Sequence, residues 1–441
     1  MKTIQIREYG SFIVGDTNGK LENNSITLTK RTFQQLEEFI LANSTKESDA
    51  LELMGLSVRK GVGKIITVKN YVGTITMQDG TTIEILPKIC SAIEDDAGAT
   101  KAKRLLLNML KALRNAPYRS LQTTNVNIEK MNIFEVFIRM FIDEVFFIAK
   151  RGLKCSYETT VENASFFRGK LKFSQQLRYN SIHKERSYVE YDVFNVNRPE
   201  NRLLKATLQY LYRHSASSKN RNDIRLLLDI FSEVTASTDP KSDFSKYVPD
   251  RNTKDYATAL LWAKVFLAGK SFTAFSGSEV ALALLFPMET LFESYIAALL
   301  RKSLDPSYTI STQDRTYHLF EYPREVFRIK PDIVLTHTPT QTVFIMDTKW
   351  KLLHEEKSGF DISQSDMYQM YVYQKKYGAK NVTLLYPKTE NVREENIEFR
   401  ELCDEGVTVR VRFLDLFDIQ NSLDALIEGL TPFVSESFVE M

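Results

Sequence analysis

Two apolar runs near the C-terminus carry charges that a hydrophobic strand tolerates only for a reason. Arg328-Ile-Lys-Pro-Asp-Ile-Val-Leu335 sets Asp332 in one run, and Phe344-Ile-Met-Asp-Thr-Lys-Trp-Lys351 sets Asp347 and Lys349 in the next. A charge among apolar side chains is costly unless it is paired or binds a metal. Strand alternation sends Asp347 and Lys349 to one face and Met346 and Thr348 to the other. Two carboxylates and an ammonium are therefore expected to converge at the end of a small sheet, a grouping suited to metal-dependent phosphodiester hydrolysis. The bland alternative makes Asp332 the start of a turn after Pro331 and Lys349 a solvated edge lysine.

The surrounding pattern gives these runs a setting. Pro287 opens a helix through Arg301, and strands are predicted at 308–312, 316–321, 326–335 and 342–350. A helix over 363–377, ended by Gly378, precedes strands at 382–386 and 407–413. The first ninety residues read as short alternating strands (3–6, 25–28, 65–68, 73–77 and 82–85), with helical patterns at 32–42 and 47–54. Gln78-Asp-Gly80 suits a hairpin turn. Residues 91–100 look like an acidic linker and 101–115 like a basic amphipathic helix. A longer helix over Ile128–Arg151 would bury Phe134, Phe137, Met140, Phe141, Val145 and Phe146. Strand-like pieces near Tyr157 and over 166–173 lead into helices at 200–214, 221–234 and 255–268. The fold class expected is α/β, a multidomain α+β chain. Its parts would be a β-rich segment 1–92, a mainly helical basic segment 93–275, and a C-terminal domain 276–441.

Length agrees with several domains, since 441 residues exceed one ordinary core. The net charge of +2 hides an uneven spread. Residues 101–220 carry 22 basic against 10 acidic side chains, and residues 281–441 carry 17 against 25. Such a chain suits holding a polyanion with one region and a metal with another, although a solvated basic surface explains the charge equally well. Cys90, Cys155 and Cys403 lie far apart and the histidines are scattered, which points to neither a zinc site nor a disulfide framework. Free cysteines without a signal peptide lead to the expectation of a cytoplasmic protein. No apolar run nears the roughly 20 residues of a membrane-spanning helix. Gly61-Val-Gly-Lys-Ile65 is a decoy for a phosphate-binding loop: Val58 stands where the first glycine belongs and Ile65 where Ser or Thr belongs.

Pro331-Asp332, fourteen intervening residues and Asp347-Thr-Lys349 resemble the PD-(D/E)xK nuclease superfamily, whose core runs α-β-β-β-α-β. That resemblance implies that Asp332 and Asp347 bind Mg²⁺, oxygen ligands leaving Mn²⁺ open as well. It implies that Lys349 orients the attacking water or stabilises the developing charge. A further metal carboxylate is expected from the preceding helix. Glu293, embedded in an apolar run, is the better candidate than Glu289, four residues earlier, which can simply complement the helix N-terminus. Gln369 and Tyr373 form the Q-x-x-x-Y of several superfamily branches and would steady the lysine or touch a phosphate, with plain packing as an equal competitor. Lys351, on the face of Lys349, reads as a surface lysine.

Segments outside this core resemble the McrC family, nuclease subunits of 5-methylcytosine restriction systems. They are Arg151-Gly-Leu-Lys-Cys-Ser-Tyr157, Phe167-Arg-Gly-Lys-Leu-Lys-Phe173, Gln176-Leu-Arg178 and Glu200-Asn-Arg-Leu-Leu-Lys-Ala-Thr207. Tyr71-Val-Gly73 and Ile83-Glu-Ile-Leu-Pro-Lys-Ile89 resemble its longer branch, and Tyr368-Gln-Met-Tyr-Val-Tyr373 also matches. The resemblance implies an endonuclease subunit without its own motor. It would work with an McrB-like AAA+ GTPase whose hydrolysis it stimulates, on double-stranded, methylated DNA, with nuclease domains paired in the active assembly. Arg59, Lys60, Arg168 and Lys170 are candidate ring contacts, with a structural turn as the competing reading of Arg168-Gly169. Two other functions compete: a scaffold and activator of an AAA+ partner, and a self-sufficient DNA repair or mobile-element nuclease.

Overall fold

The computed structural model describes residues 3–15, 20–21, 24–42, 44–45, 48–49, 53–77, 81–89, 96–112, 132–248, 253–268, 280–354, 356, 358–389, 392, 396–401 and 406–430. The chain divides into two compact units. One holds Met1–Thr3, Thr74–Thr82 and Ser120–Leu284; the other holds Ile4–Gly73, Ile83–Arg119 and Leu285–Met441. The fold is mixed α/β, as expected of a multidomain α+β chain.

The C-terminal part of the second unit is a six-stranded sheet. Its order is Tyr308–Thr312, Ile333–His337, Thr342–Thr348, Asn381–Pro387, Thr408–Leu414 and, at the edge, Asn396–Arg400. The first three strands pair antiparallel, the next pairings are parallel, and the edge strand is antiparallel again. Parallel neighbours require a crossover, and between Thr342–Thr348 and Asn381–Pro387 the helix Gln364–Tyr377 supplies it. That helix starts where the Ser363 side chain accepts the Asp366 N–H and stops at Gly378, whose left-handed φ of 58° needs no Cβ. On the central strand, Val343 and Ile345 pack in one apolar cluster with Met370, Tyr373 and Val382. Asp347 continues their face, so it points toward the crossover helix. Before the sheet comes the helix Met288–Ser303, with Pro287 just outside its first turn.

One predicted strand is broken. Residues 326–335 separate into Val326–Arg328, which pairs with His318–Phe320 in a two-stranded ribbon, and Ile333–His337 in the main sheet. The break falls at Lys330-Pro331, where proline offers no N–H to a ladder. Asp332 thus sits at the mouth of its strand, and Lys349 one residue past the end of its own.

The N-terminal part of the same unit carries a five-stranded sheet (Lys20–Leu21, Ser25–Leu28, Ser11–Val14, Gly63–Val68, Met54–Arg59). The helix Lys30–Ala42 buries Phe33, Leu36, Phe39 and Ile40. Thr82–Leu86 lies beside Thr3–Arg7, and its Glu84 is buried in an ion pair with Lys103 at 2.9 Å. The helix expected over 47–54 is corrected at the residues described there: Ser48–Asp49 pairs with Ser44–Thr45, and Met54 begins a strand. The expected linker 91–100 is helical from Asp96, in the helix Asp96–Ala112. The turn expected at 78–80, Cys90 and Cys403 lie outside the described residues.

In the first unit, Asn132 caps the helix Ile133–Lys150, and Phe137 and Phe141 pack against Trp262 and Phe266 of Ala257–Ala268. The buried Glu135 carboxylate accepts from Ser215 Oγ, Ala216 N, Ser217 N and Asn220 Nδ2, which secures the start of Ser218–Ile230. Pro199–His214 is tied down by Asn201, whose amide donates to Lys154 O and Val196 O and accepts the Tyr256 hydroxyl at 2.9 Å. The segments 151–157 and 200–207 therefore meet at a structural joint. A three-stranded sheet follows the order Ser156–Ala164, Ser187–Asn195, Lys170–Leu171, with the helix Phe173–Asn180 beside it. The strand Ser187–Asn195 and the helix Phe173–Asn180 went unforeseen, as did Pro240–Lys246, Val280–Pro287, Asn396–Arg400 and Ile419–Glu428.

Candidate active site

Asp332, Asp347, Lys349, Glu293, Gln369 and Tyr373 come together at the end of the central sheet. Each arrives for a local reason. Asp347 is the last but one residue of Thr342–Thr348, buried to 1% exposure, and the Lys349 ammonium forms an ion pair with its Oδ2. Lys349 also donates to Gln369 Oε1 at 3.1 Å, and Gln369 Nε2 donates to the Tyr373 hydroxyl at 2.6 Å. Four-residue spacing on the crossover helix puts the latter two in line. The backbone of Lys349 is pinned by its N–H to Leu385 O at 2.9 Å.

Asp332 is held on both oxygens. Its Oδ2 accepts the Thr348 N–H and hydroxyl, each at 2.8 Å, and its Oδ1 accepts Gln313 Nε2 at 3.1 Å. The same amide nitrogen donates to Glu293 Oε1 at 2.5 Å, so Gln313 bridges the two acids. Glu293 comes from Met288–Ser303, one turn beyond Glu289, which is exposed at the rim. These residues line a cleft of about 710 Å³ together with Lys330, Trp350, Lys351 and Asp366.

The electrostatics are those of crowded acids. Burial, reinforced by the nearby Asp332 carboxylate, pushes Glu293 up to about 7. Burial and Asp332 also raise Asp347 well above the usual carboxylate range, against the pull of Lys349. Burial opposes the charge on Lys349, but Asp347 and Asp366 outweigh it and hold the ammonium's pKa above its ordinary value. Asp366 is lowered: burial would raise it, but hydrogen bonds from Lys351 and Ser363 outweigh that.

Two members were not anticipated. Gln313, at a left-handed φ of 53°, follows the strand Tyr308–Thr312 and matches no sequence pattern. Asp366 lies 3.9 Å from Lys349 and 2.8 Å from Lys351. The spacing Ser363-x-x-Asp366 marks a helix start, a signal that could have found it. Lys351, expected as a surface lysine, is nearly half exposed yet lines the cleft through that ion pair.

The donor set suits a hard cation in part. Asp347 Oδ2 is buried without a hydrogen bond of ordinary geometry, its neighbour being the Lys349 ammonium. Asp332 lines the cleft and Asp347 is buried behind Lys349, which also lines it, and Mg²⁺ ordinarily takes one or two carboxylates with water and substrate oxygens. Among the described residues, however, no three acidic, histidine or cysteine side chains stand grouped as a ready metal cage. Gln313 bridges Glu293 and Asp332 instead. Away from the cleft, Arg59 and Lys60 are exposed beside the turn at Gly61–Gly63, and Lys64 pairs with Glu37 at 2.5 Å. Arg168 lies over the Tyr191 ring at 3.3 Å, and Lys170 pairs in register with Glu190. Among the described residues no helix is long and apolar enough to cross a membrane.

The Type IV methyl-directed restriction enzyme EcoKMcrBC of Escherichia coli strain K12 is 22% identical over 302 residues, 62% of this chain and 84% of that protein. A chain from the Thermococcus gammatolerans assembly of McrB AAA+ hexamers with bound McrC superposes with a TM-score of 0.68. The match covers 97% of this chain and all of that one, and at 20% identity it speaks of the fold alone. The family model described as McrBC 5-methylcytosine restriction system component matches residues 66–387, most of the length. The chain therefore belongs to the McrBC restriction system component family.

Proposed function

We propose that this chain is the McrC-type nuclease subunit of its restriction system, a PD-(D/E)xK endonuclease that hydrolyses DNA phosphodiesters. The observation that carries the reading is the buried Asp347–Lys349 ion pair beside Asp332 at the mouth of an open cleft. A purely structural sheet has no need of those charges.

Asp332 and Asp347 would hold Mg²⁺, or Mn²⁺ in its place, while Gln313 ties Glu293 to Asp332. The ion would supply charge neutralisation at the scissile phosphate and a water of lowered pKa. The chain's own part is positioning and proton handling. Gln313 and Thr348 fix the Asp332 carboxylate; Gln369 and Asp347 fix the Lys349 ammonium, which donates to the attacking water or to a non-bridging phosphate oxygen as charge develops. Water adds to phosphorus, the P–O bond to the leaving sugar oxygen breaks, and that oxygen takes up a proton.

The comparisons support an assembly with an McrB-like AAA+ GTPase, since the structural relative belongs to an assembly of AAA+ hexamers with McrC bound. Double-stranded methylated DNA is then the substrate, and cutting both strands calls for paired nuclease domains. One observation favours a second reading, a scaffold that activates the GTPase without cutting: the acids of the cleft form no ready metal cage among the described residues.

Plasmid cleavage with Mg²⁺, with and without the AAA+ partner and GTP, on methylated and unmethylated DNA, separates the readings. Breaks that need every component support the nuclease subunit. GTPase stimulation without breaks would establish the scaffold, and breaks by the chain alone would mean a self-sufficient nuclease.

A further inference from the structure

We propose that Trp350 is a positioning residue for the cleavage site and that the N-terminal region holds it in place through Glu8 and Lys88. The inference rests on the nuclease reading above and ties that reaction to Glu8, 342 positions from Trp350 in sequence, and to Lys88, 262 positions from it.

Trp350 follows Lys349 directly and is 2% exposed. Its indole N–H lies between the two Glu8 oxygens, at 3.0 and 3.1 Å, and its carbonyl accepts the Lys88 ammonium at 3.0 Å. Glu8 is itself 2% exposed and accepts the Lys88 backbone N–H at 3.0 Å, while its own N–H is bound to Leu86 O. The indole also packs against the Phe292 ring, at 5.3 Å between centroids, and Phe292 is the neighbour of Glu293. One indole thus registers Lys349 on one side and Glu293 on the other. A packing role alone would be served better by apolar partners, because burying a carboxylate and an ammonium is costly. A hydrogen-bonded acid instead fixes one ring orientation, and through it the backbone that carries Lys349. Burial also pushes Glu8 up to about 7.

The test uses the full chain with its GTPase partner, GTP, Mg²⁺ and methylated plasmid. Trp350→Phe keeps the ring on Phe292 and removes the N–H; Glu8→Leu removes the acceptor; Glu8→Gln keeps an acceptor oxygen. Trp350→Phe and Glu8→Leu should lower kcat for cleavage about ten- to hundred-fold, the usual scale for partners that orient a site residue. KM for DNA and stimulation of GTP hydrolysis should stay unchanged, and Glu8→Gln should recover most of the rate. A second readout needs no cleavage: the chain has two tryptophans, and Trp262 contributes equally to every Glu8 spectrum. Glu8→Leu should shift the tryptophan emission and Glu8→Gln should leave it near wild type. Wild-type cleavage by folded Glu8→Leu overturns the positioning role alone, as does an equal loss in Glu8→Leu and Glu8→Gln. Failure of the wild-type chain to cut with its partner overturns the nuclease reading as well.

Discussion

Lys349 is held by the Asp347 carboxylate and by the Gln369 amide oxygen, and the two supports have separable consequences. Lys349→Met should remove DNA cleavage by about three orders of magnitude, the scale for losing one charge stabiliser. Gln369→Ala leaves the ammonium paired with Asp347, with Asp366 at 3.9 Å, and should cost only about ten- to hundred-fold. Single-turnover cleavage rates check the order of the two effects. Glu8 sets a pH dependence of stability. Its ordinary value is 4.5 and burial raises it to about 7 in the folded chain, so between those values the folded state binds more protons than the unfolded one. Stability should therefore fall as pH rises through that window and level above it, by an amount of order 3 kcal/mol for this one group. Urea unfolding at pH 5 and pH 8 should show a smaller drop in Glu8→Gln than in the wild type; equal drops would contradict the assignment. At this scale the sequence is most legible where charge interrupts an apolar run, as at Asp332, Asp347 and Lys349. Gln313 escapes because an isolated amide carries no pattern, although it bridges two of the acids.

Two glycines show how elements differ in what they tolerate. Gly378 ends the crossover helix at φ +58°, and a Cβ there would meet nothing within 4 Å. Gly169 has φ +73°, and its Cβ would fall 2.3 Å from Glu190 O and 2.6 Å from Tyr191 Cβ. Gly378→Ala should then cost about 1 kcal/mol, the price of left-handed backbone alone. Gly169→Ala adds a clash with a paired strand and should cost roughly 3 kcal/mol or more. Denaturant unfolding of both variants measures the difference. The Arg168-Gly169 step is thus a structural turn, whatever else Arg168 does. The elements that periodicity missed share a physical cause. Ser187–Asn195 buries only Val189 fully, and Phe173–Asn180 only Asn180, so neither shows the contrast between faces on which such readings depend. Val280–Pro287 is a continuous apolar run that suits strand and helix alike.

At the scale of the whole molecule, neighbours come from distant parts of the chain: Ile4–Gly73, Ile83–Arg119 and Leu285–Met441 form one compact unit. Nothing local to Glu8 or Lys88 announces that they reach Trp350. A fragment of residues 276–441 would leave the buried faces of Trp350 and Met288–Ser303 without their partners, the latter normally packed by Asp96–Ala112. That fragment should lack the cooperative thermal transition of the intact chain, as followed by circular dichroism. In the proposed division of labour, Asp332, Asp347 and Lys349 cut DNA while other parts of the chain engage the GTPase. It is tested most directly with Asp347→Asn, which keeps the shape of the side chain and removes its charge, by following DNA breaks and GTP hydrolysis in the same reaction. Loss of breaks with GTP hydrolysis still stimulated is the expected result; breaks at the wild-type rate would place the nuclease chemistry elsewhere.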